Sequence, residues 1–600
     1  MELTHIRNFS IIAHIDHGKS TLADQIMALT QTVSARQMSD QLLDDLTVEK
    51  SHGVTVKART ARNLYQADDG QVYELNLIDT PGHVDFNYEV EKSLAASDGA
   101  ILLVDATQGV QAQTVANLRL AEQAGLVLLP VINKIDSANA QIAATEKQIR
   151  QLNPELAQAP ILHISAKTGQ GVPEVLEAIV HYLPAPQGQI KAPLKALIFD
   201  SVYDPFKGVI VNLRLFDGQL QQNDQVQLMA SQKTFHVHEL GILTPDRTPT
   251  TALKAGDVGY LITGIKDPQQ VRVGDTITSA DHPTVQPFPG YQPPKPTVFT
   301  GLYPVKDYKT LKEALQKLTL NDPSFQISPE TSDALGPGFR GGFLGIFHLQ
   351  IIKERLFNEF GVEVLTTVPN VTYHVHLADA ADPKQFLTVN NPVHFPDFSQ
   401  IEYVTEPILR ATIVTPENTV NNVMKWTEHY KGILIDIQNQ GQLIKLIYKI
   451  PLSELDYNFF SRLKSTSHGY ASLSTKFLDY EPADVVRLDV RVNYSRVDAL
   501  TFIIHRQDAP QLTQKLVTKL KYTIPRRLYP MPVQAVVEGK VLARVDVPPL
   551  RKNAAANNEK RSISKKQALL RRQNLNKRQA AHNDIELPQE VFNAILDLEV

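Results

Sequence analysis

Ala13-His14-Ile15-Asp16-His17-Gly18-Lys19-Ser20-Thr21 stands where the apolar run Ile6–Ile12 gives way to a helical pattern over Lys19–Leu29. It matches the phosphate-binding loop except that Ala13 takes the place of the first Gly. Backbone N–H groups at a helix N-terminus cradle phosphate oxygens, so Asp16, His17, Gly18 and Thr21 are candidate loop residues. In that setting Lys19 places its ammonium between the β- and γ-phosphates and Ser20 ligates Mg²⁺. A glycine turn with a chance Lys-Ser is the weaker alternative, because the strand–loop–helix context is the one the motif requires. Alone, the motif specifies a nucleotide and not which one.

Two further segments choose the base. Asn133-Lys134-Ile135-Asp136 closes the apolar run Val127–Ile132, and Ser165-Ala166-Lys167 closes Ile161–Ile164. The Asp136 carboxylate can accept from both N1–H and the exocyclic amine of guanine. Adenine would leave that charge unmatched, which supports large discrimination. The Ala166 N–H can donate to guanine O6, Asn133 braces the loop, and the Lys134 stem lies against the base. Each short motif is weak alone; in this order, each after a strand, they point to GTP. Asp79-Thr80-Pro81-Gly82-His83 follows the strand Val72–Ile78. Asp79 suits a water-mediated Mg²⁺ contact, the Gly82 N–H meets the γ-phosphate, and His83 sits where a group can orient the attacking water. A Ser/His/Asp nucleophile reading is rejected, because nothing here requires a covalent intermediate.

The chain has 600 residues, is 42% hydrophobic and 21% charged, and carries a formal charge of −4. At roughly 150 residues per domain this favours about four domains. No apolar stretch is long enough for a spanning helix, and the N-terminal residues read as neither a signal nor a transit peptide. The lack of Cys excludes a disulfide framework and thiolate metal sites and fits a reducing cytoplasm. With no coiled-coil heptads the expected state is a monomer.

Strand–helix alternation over 1–185 predicts an open, mostly parallel sheet. A Pro-rich linker at 184–188 leads to short strands with turn signals, a β-barrel over 190–285. Beyond a second linker at 287–296, the segments 295–370 and 402–484 each follow the β-α-β-β-α-β order of a ferredoxin-like split βαβ domain. The remaining 485–600 form a C-terminal domain with a concealed charge asymmetry. Between Arg551 and Arg578 there are ten Lys/Arg, among them Lys552, Lys565, Lys566, Arg571 and Arg572, against Glu559 alone. A solvated helix face is the plain reading. An arm that contacts nucleic-acid phosphates, or an anionic membrane surface, is the sharper one. No aromatic residue interrupts the run, which favours RNA backbone over base readout.

Taken together these motifs resemble the translational GTPases, which share the opening Ala-His-Ile-Asp-His-Gly-Lys-Ser/Thr. Asn8–Ile12, LGPGFRGGFLGIFHL from Leu335 to Leu349, Arg462–Ser472 and Leu550–Asn553 are similar to the elongation factor 4 (LepA) family. That resemblance runs over nearly the whole chain. It implies the five-domain plan above, with a C-terminal domain peculiar to the family and Thr55 as the switch residue that senses γ-phosphate and Mg²⁺. It further implies ribosome-stimulated GTP hydrolysis, contact with rRNA and tRNA, and one-codon backward movement of tRNAs after faulty translocation, a fidelity role under stress. Cytoplasmic location with peripheral association at the cell membrane is also implied. No Arg finger is apparent, so the ribosome has to orient His83. About 35 residues, Asn370–Thr405, join the split domains, too few for the extra domain of elongation factor G. The chain departs from the family at His52, where Arg is usual, at Asn223, where Gly is usual, and at 554–560, which replace a Cys-Tyr-Gly-Gly loop; it reads as a diverged paralogue. A membrane-surface GTP-dependent binding protein is the alternative reading.

Overall fold

The computed structural model describes residues 2–14, 16–33, 49, 55, 57–81, 86–204, 206–244, 246–267, 270–289, 296–322, 324–379, 385–440, 443–455, 457–467, 471–527, 529–550, 587–588 and 590–592. Within the first 185 residues lie strands β1 (Ile6–Ala13), β2 (Arg59–Gln66), β3 (Val72–Asp79), β4 (Gly99–Asp105), β5 (Val127–Asn133) and β6 (Leu162–His163). The helices between them are α1 (Lys19–Leu29), α2 (Asn87–Ala95), α3 (Ala112–Gln123), α4 (Ile142–Arg150), α5 (Pro154–Gln158) and α6 (Val172–Tyr182).

Sheet order is β2-β3-β1-β4-β5-β6, parallel except for the β2–β3 hairpin. Every residue of β1 is buried, as expected of a central parallel strand covered on both faces. Alternation decides which side chain goes where. Phe9, Ile11, Ile101, Leu103, Leu129 and Val131 meet α1 and α6. Ile12, Leu102, Val104, Leu128 and Ile132 meet α2, α3 and α4. Helices thus lie on both faces, and the loops after β1, β3, β4 and β5 gather at one edge.

Strands between Lys195 and Ser279 form an antiparallel barrel around Ile198, Val211, Leu213, Leu261 and Ile277. Asn223 holds φ +71°, the left-handed conformation a Gly would take and Asn tolerates. The barrel docks on the first domain through a set of linked polar groups. Asn8 donates to Gly256 O (3.0 Å) and Asp98 (3.1 Å), Asn76 donates to Asn8 (2.9 Å), and Arg214 pairs with Asp98 at 2.6 Å.

Both split units are present. Strands 326–332, 336–343, 298–304 and 364–366 lie in that spatial order, antiparallel, with helices Tyr308–Asn321 and Ile346–Phe360. In the second, 433–440, 443–451, 401–416 and 472–483 repeat the order with helices Val420–His429 and Tyr457–Thr466. The connection 370–405 is more than a linker. Tyr373–Leu377 and Leu387–Val389 are strands that extend the second sheet along Ile401–Pro416.

After Val485 comes a unit not resolved into elements by the sequence reading. Strands Val485–Val492 and Ser495–His505, helix Ala509–Thr523, and strands Met531–Val537 and Lys540–Val547 make an antiparallel sheet with a core of Leu488, Val490, Leu516, Leu520 and Val533. Its two hairpins turn through Asn493-Tyr494 (φ +52° and +70°) and Glu538-Gly539 (φ +50° and +78°). The basic arm Arg551–Arg578 lies outside the described residues.

A half-buried histidine joins this unit to the second split unit. His505 Nε2 is 2.8 Å from Glu406 and Nδ1 is 3.3 Å from Glu454, while Lys431 pairs with Glu454 and, at 2.7 Å, with Asp508. Burial pulls the imidazole pKa down, but the hydrogen bonds to Glu406 and Glu454 outweigh it and raise it from 6.5 to about 9. A group whose folded pKa is raised stabilises the fold below its unfolded pKa and stops doing so above the folded one. Thermal stability is therefore expected to fall as pH rises from 6.5 through 9. His505→Gln should lower stability at pH 6 and flatten that slope; thermal unfolding of both proteins across the window checks it.

Candidate nucleotide site

The loop after β1 is held in shape by left-handed backbone at Asp16 (φ +62°) and Gly18 (φ +92°). At Gly18 even a Cβ would stand 2.4 Å from Asn133 Nδ2, so position and neighbour both require glycine. Asn133, the last residue of β5, donates from Nδ2 to His17 O (2.8 Å) and accepts from the Ala166 N–H at Oδ1 (2.9 Å). One buried amide therefore ties the loop after β1 to the loop after β6. Lys134, also left-handed (φ +63°), reaches back to Asp16 O (2.6 Å) and pairs with Asp105 at 2.9 Å. The exposed Asp136 and half-buried Ile135 follow on the same turn; the Ile135 N–H donates to Ile164 O. Ser165 and Ala166 are buried and Lys167 is exposed.

At the other end of the loop, the Lys19 ammonium is buried and donates to both Asp79 oxygens (2.7 and 2.8 Å) and to Thr55 Oγ1 (2.8 Å). Ser20 and Thr21 open α1 beside it, half-buried and exposed. Three segments distant in sequence thus present an ammonium, a carboxylate and a hydroxyl at one point. His17 is packed against His14, ring centroids 5.1 Å apart, with its Nδ1 3.3 Å from the Asp105 N–H. Burial, then the neighbouring His14, lowers its pKa to about 3. His17 is neutral, and positive charge at the loop comes from Lys19 and the helix N-terminus.

Three supporting residues were missed by motif reading. Thr80 donates to Ile11 O (2.6 Å) and Asn117 donates to Ala13 O (3.2 Å), holding the backbone of β1 from either side. Asp105 accepts from Thr107 N (2.7 Å) and anchors Lys134. Burial works against its charge, but the bonds from Lys134 and Thr107 keep its pKa below the usual carboxylate value. The available signal was position: Asp105 closes a buried parallel strand at its carboxyl end. Gly82 and His83 lie outside the described residues.

Residues 4–185 match the elongation factor Tu GTP binding domain family and 208–278 match elongation factor Tu domain 2. Residues 403–491 match the elongation factor G C-terminus, and 492–597 match the GTP-binding protein LepA C-terminus. Over 599 residues, covering all of both chains, the sequence is 63% identical to "Elongation factor 4 2" of Lactiplantibacillus plantarum. The chain belongs to the elongation factor 4 family. Elongation factor 4 of Symbiobacterium thermophilum is 47% identical and that of Thermus thermophilus 46%, each across 99% of this chain and 98% of the relative. A solved crystal structure of another Thermus thermophilus protein aligns with TM-score 0.58 over 80% of this chain and 97% of its own, at 19% identity, a likeness of fold.

As an elongation factor 4 family member the protein is a translation GTPase, with GTP as its substrate. Asn133 is where the geometry is most easily tested. Asn133→Ala removes both of its bonds and leaves His17 O and the Ala166 N–H without that partner. Affinity for a fluorescent GDP analogue is expected to fall about 10–100-fold, at one to two lost hydrogen bonds of ~1.5 kcal/mol each, with the circular dichroism spectrum retained.

Proposed function

We propose that the protein is a ribosome-stimulated GTPase that moves tRNAs back by one codon on wrongly translocated ribosomes. The observation that carries the GTPase half is the meeting of Lys19, Asp79 and Thr55 at one buried point beside the α1 N-terminus. Backbone N–H groups of 16–20 and the Lys19 ammonium bind and orient the β- and γ-phosphates. The guanine is held at Asp136, at the Ala166 N–H and against the Lys134 stem, with Asn133 fixing the spacing between base and phosphate ends. Ser20, Thr55 and, through water, Asp79 are the oxygen donors that a hard cation such as Mg²⁺ takes. Bound there, the ion would neutralise charge on the phosphates.

In hydrolysis a bond forms between the water oxygen and the γ-phosphorus. The bond to the β-γ bridging oxygen breaks, and its electron pair leaves with GDP. His83 orients the water. The energy a partner supplies is its correct placement, which raises turnover by about 10³–10⁵-fold in GTPases of this kind.

Two features support backward over forward movement. Family membership is one. The other is 370–405, whose described residues form two short strands on the second sheet and no domain that could enter a decoding site. The Arg551–Arg578 arm supplies the charge for rRNA or tRNA phosphates, in a cytoplasmic, ribosome-bound setting. Among the described residues no helix is long and apolar enough to cross a membrane.

GTP turnover measured with and without bacterial ribosomes at two salt concentrations tests this reading. Strong stimulation that weakens with salt is expected. No stimulation with GTP binding intact overturns it, and co-sedimentation with anionic vesicles would then favour the membrane-surface reading. His83→Ala should keep GTP affinity and lose stimulated turnover by about 10³-fold or more; unchanged turnover removes His83 from the mechanism.

A further inference from the structure

The barrel strand Lys195–Asp204 carries a one-residue bulge where it meets the nucleotide domain. Ile198 faces Leu213 and Asp200 faces Asn212, so Phe199 has no partner of its own across the ladder. Ile198 and Leu213 belong to the barrel core. A regular strand would turn Asp200 inward beside them; the bulge leaves both Phe199 and Asp200 on the outer surface. There Phe199 packs with Ile78 and Ala96 of the nucleotide domain and with Val258. Asp200 is buried next to it, accepts from Asn212 Nδ2 (3.3 Å) and lies 3.8 Å from the Lys57 ammonium.

Two segments of the nucleotide domain converge on that carboxylate. Lys57 stands two residues after Thr55, and its N–H donates to the buried Glu49 (3.1 Å). The stretch through Thr55 is therefore tied by its backbone to Glu49 and by a side chain to the barrel. The second segment is α2, which packs against strand Lys195–Asp204 and begins four residues after His83. Its Lys92 is 1% exposed, pairs with Glu89 one turn earlier, and sits 4.9 Å from the Tyr88 ring centroid. Burial works against the Lys92 charge, but Glu89 and then Asp200 hold its pKa above the ordinary lysine value. Fastening the two domains together does not account for this arrangement. Phe199 and the Arg214–Asp98 pair already do that, and charges taken from water hold a joint no better than apolar packing. What the Asp200 carboxylate adds is direction, because Lys57 and Lys92 both answer to it.

We infer that Asp200 is a positioning residue for GTP hydrolysis, holding the segments that carry Thr55 and His83 in one arrangement from the barrel side. It acts through Lys57 and Lys92 and not on the nucleotide. The inference rests on the roles proposed for Thr55 and His83. It gives the barrel a part in turnover, since a barrel moved off the nucleotide domain takes the carboxylate with it and releases both segments.

Single-turnover GTP hydrolysis by the full-length protein, with and without bacterial ribosomes, tests this. Asp200→Asn keeps the size of the side chain and an oxygen for Asn212 while removing the charge. The rate constant at saturating GTP is expected to fall about ten-fold or more. Affinity for a fluorescent GTP analogue and the ribosome concentration at half-maximal rate should be unchanged, with thermal unfolding confirming the fold. Lys57→Gln should slow the same step, and the double variant should be no slower than Asp200→Asn, because both residues act through one contact. A wild-type rate for Asp200→Asn overturns the inference, as does a double variant whose defects multiply or a rate loss matched by lost nucleotide affinity. Should Asp200→Asn not fold, Lys57→Gln decides, and a wild-type rate for it overturns the inference. Wild type unstimulated by ribosomes rejects the ribosomal reading, and the ribosome-free rates then decide the role of Asp200.

Discussion

The buried Lys19 ammonium is the constraint around which the nucleotide domain is arranged. A cation taken from water costs several kcal/mol unless its donors are satisfied. Here Asp79 and Thr55 satisfy them at 2.7–2.8 Å. That bond set fixes the end of β3, the start of α1 and the segment through Thr55 at one point. In the proposed function a phosphate oxygen competes for the same ammonium, which would make nucleotide binding and the position of Thr55 one equilibrium seen from two sides. Asn133 plays the corresponding part between the loops after β1 and β6, with an amide in place of a charge.

Polar contacts of this kind recur at two domain joints, beside apolar ones such as Ile78 and Ala96 against Phe199 and Val258. Asn8, Asn76, Asp98 and Arg214 fasten the barrel to the nucleotide domain. Glu406, Glu454, His505, Lys431 and Asp508 fasten the C-terminal unit to the second split sheet. Such joints are directional. A domain that rotates away leaves charges unpaired in the interface, so the arrangement is specified rather than merely favoured.

Much of this was legible in the chain. The apolar runs before Asp-Thr-Pro-Gly and Asn-Lys-Ile-Asp, and the one leading to Gly-Lys-Ser, are the buried strands the motifs implied, with the motif loops at one edge of the sheet. The split units were legible from helix-period and strand-period segments in fixed order. The ββαββ unit after Val485 was not, since its hairpins turn on Asn493-Tyr494 and Glu538-Gly539 in place of the usual Asn-Gly or Asp-Gly signal. Strands 373–377 and 387–389 were missed for a different reason. They are only five and three residues long, and their pairing partner lies across a loop. Asp105, Thr80 and Asn117 act on backbone groups brought close by folding alone, and no local pattern marks them.

Strand Ile401–Pro416 has sixteen residues and is laddered to 373–377, 443–451 and 472–483. At 3.3 Å per residue it spans about 50 Å. Its hydrogen bonds lie across its length, so pulling it endwise loads many of them in shear at once. Sliding this strand past its neighbours would therefore require many hydrogen bonds to give way together, whereas peeling it from one end would break them singly.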